Sequence, residues 1–122
     1  MTGTVNAALE AVLPLTVRGP DGRSAEVEAV IDTGFTAFLT LPPVTVAALG
    51  LPWVSTQQLL LADGNVHAFD VFQATVLWDG QLRTVEVEAV DVQPLLGMRM
   101  LYRSAFHMDV VNGGAVTINA LP

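Results

Sequence analysis

Val30-Ile31-Asp32-Thr33-Gly34-Phe35-Thr36-Ala37-Phe38-Leu39 leaves an apolar run, passes through a polar tripeptide and returns to apolar residues. Upstream, Ala25, Val27, Ala29 and Ile31 share one parity while Glu26 and Glu28 take the other, the period-2 pattern of a half-buried strand. That strand feeds straight into Asp32-Thr33-Gly34. Each residue type there has a separate physical use: Asp32 supplies a carboxylate, Thr33 a hydroxyl, and Gly34 a backbone free to turn tightly. By average composition the bare tripeptide turns up by chance in roughly 2 of 100 chains of this length, so its meaning rests on its neighbours. The plain alternative for Asp32 is a turn-forming aspartate that bonds its own backbone before a glycine.

Working outward, Leu9, Ala11, Leu13, Leu15 and Val17 alternate as the strand before Asp32's strand, and Gly19-Pro20-Asp21-Gly22 turns the chain between the two. After Gly34, Phe38 to Leu41 reads as a short strand. Pro42-Pro43 then opens a helix over Val44 to Leu49 that stops at Gly50. Residues 57–62 and Val66 to Leu77 are β-rich runs around Asp63-Gly64, and Asp79-Gly80 joins the second of them to Thr84–Val90. Leu95-Leu96-Gly97 leads into one or two helical turns over Met98 to Ser104. Met108 to Val111 and Ala115 to Asn119 flank an Asn112-Gly113-Gly114 turn. Many short strands with Gly and Pro punctuation, and two short helices, predict a single all-β domain over residues 1–122, a barrel or folded sheet. An apolar strand, a Gly-containing loop and a short helix occur at Val30 to Gly50 and again at Val90 to Ser104, which hints at two related halves.

Composition narrows the partners. Of the 122 residues 52% are hydrophobic and 14% charged, so the chain has apolar surface to spare for an interface. A net charge of −7 with 5 basic residues argues against nucleic acid, whose backbone is neutralised by clustered Lys and Arg. The uncharged stretches are broken by Pro, Gly and polar residues, so no membrane span is expected, and the absence of cysteine with no signal-like start suits the cytoplasm. His67 and His107 have no ligand spacing and no Ser or Cys nucleophile to serve, and are read as structural. Trp53, Trp78, Phe69 and Phe72 are read as packing residues. Glu26, Glu28, Glu86 and Glu88 are read as a solvated sheet face.

The hairpin leading into Asp32-Thr33-Gly34, the Leu39-Thr40-Leu41-Pro42 strand, the Ala62-Asp63-Gly64 hairpin tip and Leu95-Leu96-Gly97 before a helix follow one another in a familiar order. The combination resembles the retropepsin-like aspartic proteases, which include retroviral proteases and small bacterial and archaeal relatives, and it covers nearly the whole chain. The resemblance implies one lobe of an acid-protease-like barrel, closed or partly open. It also implies Asp32 as catalytic residue supported by Thr33 and Gly34, a flap with Ala62, Asp63 and Gly64 at its tip, and Leu95, Leu96 and Gly97 as the partner loop. Peptide hydrolysis with no metal and no organic cofactor is the implied activity. The chain carries one Asp-Thr-Gly and no Asp-Ser-Gly, so the second carboxylate must come from a second copy, making a homodimer acting on a peptide or protein substrate. Where several retroviral enzymes have an acidic pair and an arginine, this chain has Phe35-Thr36-Ala37 and Met98. Arg99 or Arg103 would have to find another carboxylate. The rival expectation is a dimeric peptide-binding or scaffold module that keeps the fold without turnover.

Overall fold

A computed structural model describes residues 1–60 and 62–122. Its strands are β1 (Thr2–Val5), β2 (Ala11–Arg18), β3 (Ser24–Ile31), β4 (Leu39–Leu41), β5 (Trp53–Leu60), β6 (Val66–Trp78), β7 (Gln81–Ala89), β8 (Leu95–Leu96), β9 (Ser104–Met108) and β10 (Ala115–Ala120). Two short helices, α1 (Pro43–Leu49) and α2 (Met98–Leu101), interrupt them. The strands form one sheet in the order β5-β6-β7-β4-β8-β3-β2-β1-β10-β9. A further pairing of β6 with β2, Val17 opposite Val76, folds the sheet back on itself into a barrel-like ring.

Alternation in the sequence becomes the inside and outside of that ring. Leu13, Leu15 and Val17 of β2 are buried with Val76 and Trp78 of β6, Val85 and Val87 of β7, and Leu39 and Leu41 of β4. Burying an aliphatic side chain of this size contributes on the order of 2 kcal/mol. Helix α1 closes one end with Val46 and Leu49. Pro43 sits where a missing N–H costs nothing, and Gly50 at φ 61 ends the helix while its N–H bonds the Ala47 carbonyl.

Several boundaries differ from the sequence reading. Leu9 is not a strand residue: it sits at φ 60 and is exposed, because the Asn6 side-chain oxygen accepts the N–H groups of Ala8 and Glu10 and folds that segment into a turn. The strand expected at Met108 to Val111 lies earlier, at Ser104–Met108. Helix α2 lasts one turn, Arg103 at φ 62 reverses the chain, and the bond from the Val111 N–H to the Asp109 carbonyl curls residues beyond Met108 out of the sheet. Strand β1, which the alternation did not reveal, is four residues long and sits between β2 and β10. The strand expected over 57–62 is β5, which begins earlier, at Trp53, and is described to Leu60; position 61 lies outside the described residues.

Candidate active site

Strands β3 and β8 lie parallel, with Val30 opposite Leu95 and Ile31 opposite Leu96, so the two apolar segments end side by side and release their loops together. Asp32-Thr33-Gly34 and Leu95-Leu96-Gly97 therefore meet. The Asp32 N–H donates to the Leu96 carbonyl at 2.9 Å, and the Gly97 N–H donates to the Phe38 carbonyl at 2.9 Å. Met98 and Arg99 donate to the carbonyls of Phe35 and Ala37 at 2.8 and 3.2 Å. These bonds join one loop to the other rather than each to itself.

Gly97 is where the two backbones come closest. A Cβ there would stand 2.1 Å from the Ala37 carbonyl oxygen and 2.7 Å from that of Phe35, inside any tolerable contact. The glycine is thus required by space and not by dihedral angle. Beneath the loops, the Leu95 N–H donates to the hydroxyl of Thr40 at 2.9 Å, and Thr40 is the one polar side chain among the described residues counted as buried. Sequence reading did not single out Thr40. Its signal is a hydroxyl between two leucines in a strand whose neighbours are all apolar.

Within the loop, the Gly34 N–H donates to Asp32 Oδ1 at 2.9 Å and the Phe35 N–H to the Asp32 carbonyl at 3.1 Å. The same bonds would form in the plain turn-forming alternative. What distinguishes Asp32 is its surroundings: half-buried, it borders a cavity of about 380 Å³ whose wall includes Ile31, Thr33, Leu95, Phe106 and Met108. Thr33 is exposed beside it. The rest of the wall is mostly apolar, with Glu10 as a second acidic residue, and backbone bonds from both loops brace the segment that carries Asp32.

Ala62, Asp63 and Gly64 lie at the tip of the β5–β6 hairpin, fully exposed, with Gly64 at φ 83. Asp63 accepts from the backbone and side chain of Asn65 at 2.9 and 3.1 Å, which together hold its carboxyl below its ordinary value. None of the three lines the cavity beside Asp32. The base of the hairpin does reach the active-loop segment. Gln57 of β5 and Val71 of β6 face Thr36, Ala37 and Phe38 across a cavity of about 270 Å³.

Glu86 and Glu88 of β7 and Arg99 of α2 complete that second cavity. Glu26, Glu28 and Glu86 are solvated as expected, but Glu88 is half-buried, and burial first, then the neighbouring Glu86 charge, pushes its carboxyl above the ordinary value. Arg99 stacks over the Phe38 ring at 6.0 Å. The aromatic expectation divides: Trp78 is buried and Phe69 and Phe72 are partly buried. Trp53 is 60% exposed and gives its indole N–H to Asp70. His107 contacts Asp109 at 3.0 Å on the surface.

No family model matches the chain, and no curated protein matches it. Among solved structures it is similar to the crystal structure of a retropepsin-like aspartic protease from Rickettsia conorii, with a TM-score of 0.62 and 15% identity. The match covers 100% of this chain and 91% of that one. The fold is therefore retropepsin-like across its whole length.

Proposed function

We propose that this chain is an aspartic endopeptidase that works as a symmetric homodimer, with Asp32 of each copy forming the catalytic pair. The observation that carries the reading is the Asp32 loop itself: a carboxylate fixed by the Gly34 N–H, wired to the Gly97 loop and bordering a mostly apolar cavity within a retropepsin-like fold.

Two carboxylates brought within a few ångströms cannot both ionise without heavy repulsion, so the pair holds one proton between them. The ionised Asp32 acts as general base on a water molecule. The protonated one polarises the scissile carbonyl and then passes its proton to the leaving amine. No covalent intermediate is needed. The pair titrates as a unit, so the rate peaks on the acidic side and falls once both are ionised. Substrate lies as an extended strand between the hairpin and the loops, gaining main-chain bonds and filling apolar pockets with alternate side chains. Closure of the β5–β6 hairpin excludes bulk water.

Incubation with an unfolded protein or a peptide library at mildly acidic pH, with and without a statine-type transition-state mimic, tests the reading. Cleavage that the mimic blocks and that fades at alkaline pH is expected; cleavage indifferent to both would sink it, as would none at all by the assembled dimer.

No helix among the described residues is long and apolar enough to cross a membrane.

A further inference from the structure

The cavity of about 270 Å³ at the hairpin base joins three parts of the molecule that an extended substrate would pass. Ala37 and Phe38 come from the segment that follows Asp32-Thr33-Gly34, Val71 comes from the hairpin, and Glu86 and Glu88 come from β7. Pockets for drug-sized ligands begin at roughly 300 Å³, so this one fits a single side chain.

Its lining is graded from apolar to acidic. Ala37, Phe38 and the buried Val71 give one side, while Glu88, partly buried, and Glu86, exposed, stand two residues apart on the same face of β7. Glu88 lies opposite Thr40 of β4 and Val71 of β6, so strands on both flanks hold its backbone in place. The third charge in the cavity does not cancel the pair. Among the described residues no ion pair joins Arg99 to either glutamate, and its guanidinium lies over the Phe38 ring at 6.0 Å. Burial, then repulsion from Glu86, work against the ionised Glu88 with no cation to offset them.

We infer that this cavity selects substrates carrying a lysine or arginine side chain, whose aliphatic stem lies on Phe38 and Val71 and whose cation meets Glu88 and Glu86. Long basic side chains combine an apolar stem with a charged head, which matches the two sides of the lining. An acidic side chain would gain Arg99 but face two carboxylates. The net charge of −7 draws basic peptides toward the chain as a whole. Neighbouring side chains of an extended strand point to opposite faces, so the preference falls on one position and not on a basic run. A twofold dimer presents the cavity twice, so the preference repeats equally far on the other side of the cut.

The inference rests on the peptidase reading of the site, and its test keeps the two apart. Cleavage of a random peptide library, read by mass spectrometry, should show lysine and arginine enriched at one position on each side of the cut. For a peptide with lysine there and its leucine twin, kcat/KM should favour lysine roughly tenfold, the worth of one charge-assisted bond. Glu86→Gln and Glu88→Gln should each shrink that ratio roughly threefold, while Arg99→Gln, which removes a competing cation, should widen it. In the Asp32→Asn chain, where binding is read apart from cleavage, the Kd ratio for the two peptides should follow the same order. Cleavage with no basic preference, with one that ignores both glutamate substitutions, or with an acidic preference overturns the inference and leaves the peptidase reading standing. Binding that follows the glutamates, with no cleavage by the unsubstituted chain, upholds the inference and removes the peptidase reading. Neither cleavage nor selective binding overturns both.

Discussion

The Asp32 loop and the β5–β6 hairpin are both excursions from the same sheet, yet they are held by different means. The loop is tied to its neighbour by backbone bonds from Asp32, Gly97, Met98 and Arg99, packed so closely that Gly97 has no room for a methyl group. The hairpin is held by strand pairing alone over most of its length. Leu59, Leu60 and Val66 stay more than half exposed, and β5 has no buried residue. One region fixes a carboxylate; the other remains free to settle on whatever occupies the space between them. Catalytic groups need a fixed geometry and a lid needs a low cost of opening, and the sheet provides both by spending its packing unevenly.

The sharpest way to break that division is Asp32→Asn, which keeps the Oδ1 that accepts the Gly34 N–H and removes only the titratable group. Cleavage should fall by roughly 10²- to 10⁴-fold, the usual worth of a general acid-base group. The melting temperature should hardly move. If cleavage survives, chemistry does not belong to the braced region and the contrast loses its functional meaning.

Gly97→Ala tests the bracing itself. The added Cβ meets two backbone carbonyl oxygens that are themselves hydrogen-bonded, so neither can retreat cheaply, and a loss of about 3 kcal/mol in unfolding free energy is expected. Gly64→Ala at the hairpin tip finds open space around its Cβ and meets only the strain of φ 83, about 1 kcal/mol. Chemical denaturation of the two variants should rank them in that order. A reversed ranking would mean that the loops are looser than their bonds suggest.

At the hairpin base, Asp70 accepts from the Thr56 hydroxyl at 2.7 Å and from the Trp53 indole at 3.3 Å, bridging β5 to β6 on the exposed face. Asp70→Ala should cost up to about 1 kcal/mol and should speed amide exchange in β5 without touching β3 or β8. Exchange rising equally in both regions would show that the hairpin and the loop are one cooperative unit.

The same contrast explains what could be read from sequence. Asp32-Thr33-Gly34, Leu95-Leu96-Gly97 and the Pro43 to Gly50 helix are local signals: the first follows a strand, the second leads into a helix, and the third is a helix ended by its glycine. The hairpin strands were legible because Asp63-Gly64 and Asp79-Gly80 mark their ends. Relations between distant segments were not legible. Thr40 matters because Leu95 comes to it across the sheet, and Glu88 leaves the solvated set because α2 and the hairpin base wall it in. Strand β1 escaped notice because four residues carry too little alternation. Leu9 was misplaced because its parity fitted while the Asn6 side chain, two to four residues away from its targets, decided the backbone.

Glu88 offers the finest probe, since it sits where hairpin base and active-loop segment face each other. Burial, and then repulsion from Glu86, raise its carboxyl above the ordinary 4.5, so the folded chain holds this proton more tightly than the unfolded chain does. Stability then declines as pH rises from about that value through the raised one, because ionising Glu88 is harder in the folded state. Glu88→Gln removes the ionisation. At neutral pH the variant should be more stable by a few tenths of a kcal/mol once solvent screening of a partly exposed group is counted. Below pH 4 the advantage should vanish, since wild-type Glu88 is then protonated as well. Thermal melts of both proteins across that range measure the difference. A gap that widens toward acid would mean that Glu88 is held by a favourable partner and that the cavity beneath the hairpin is less shielded from water than its walls imply.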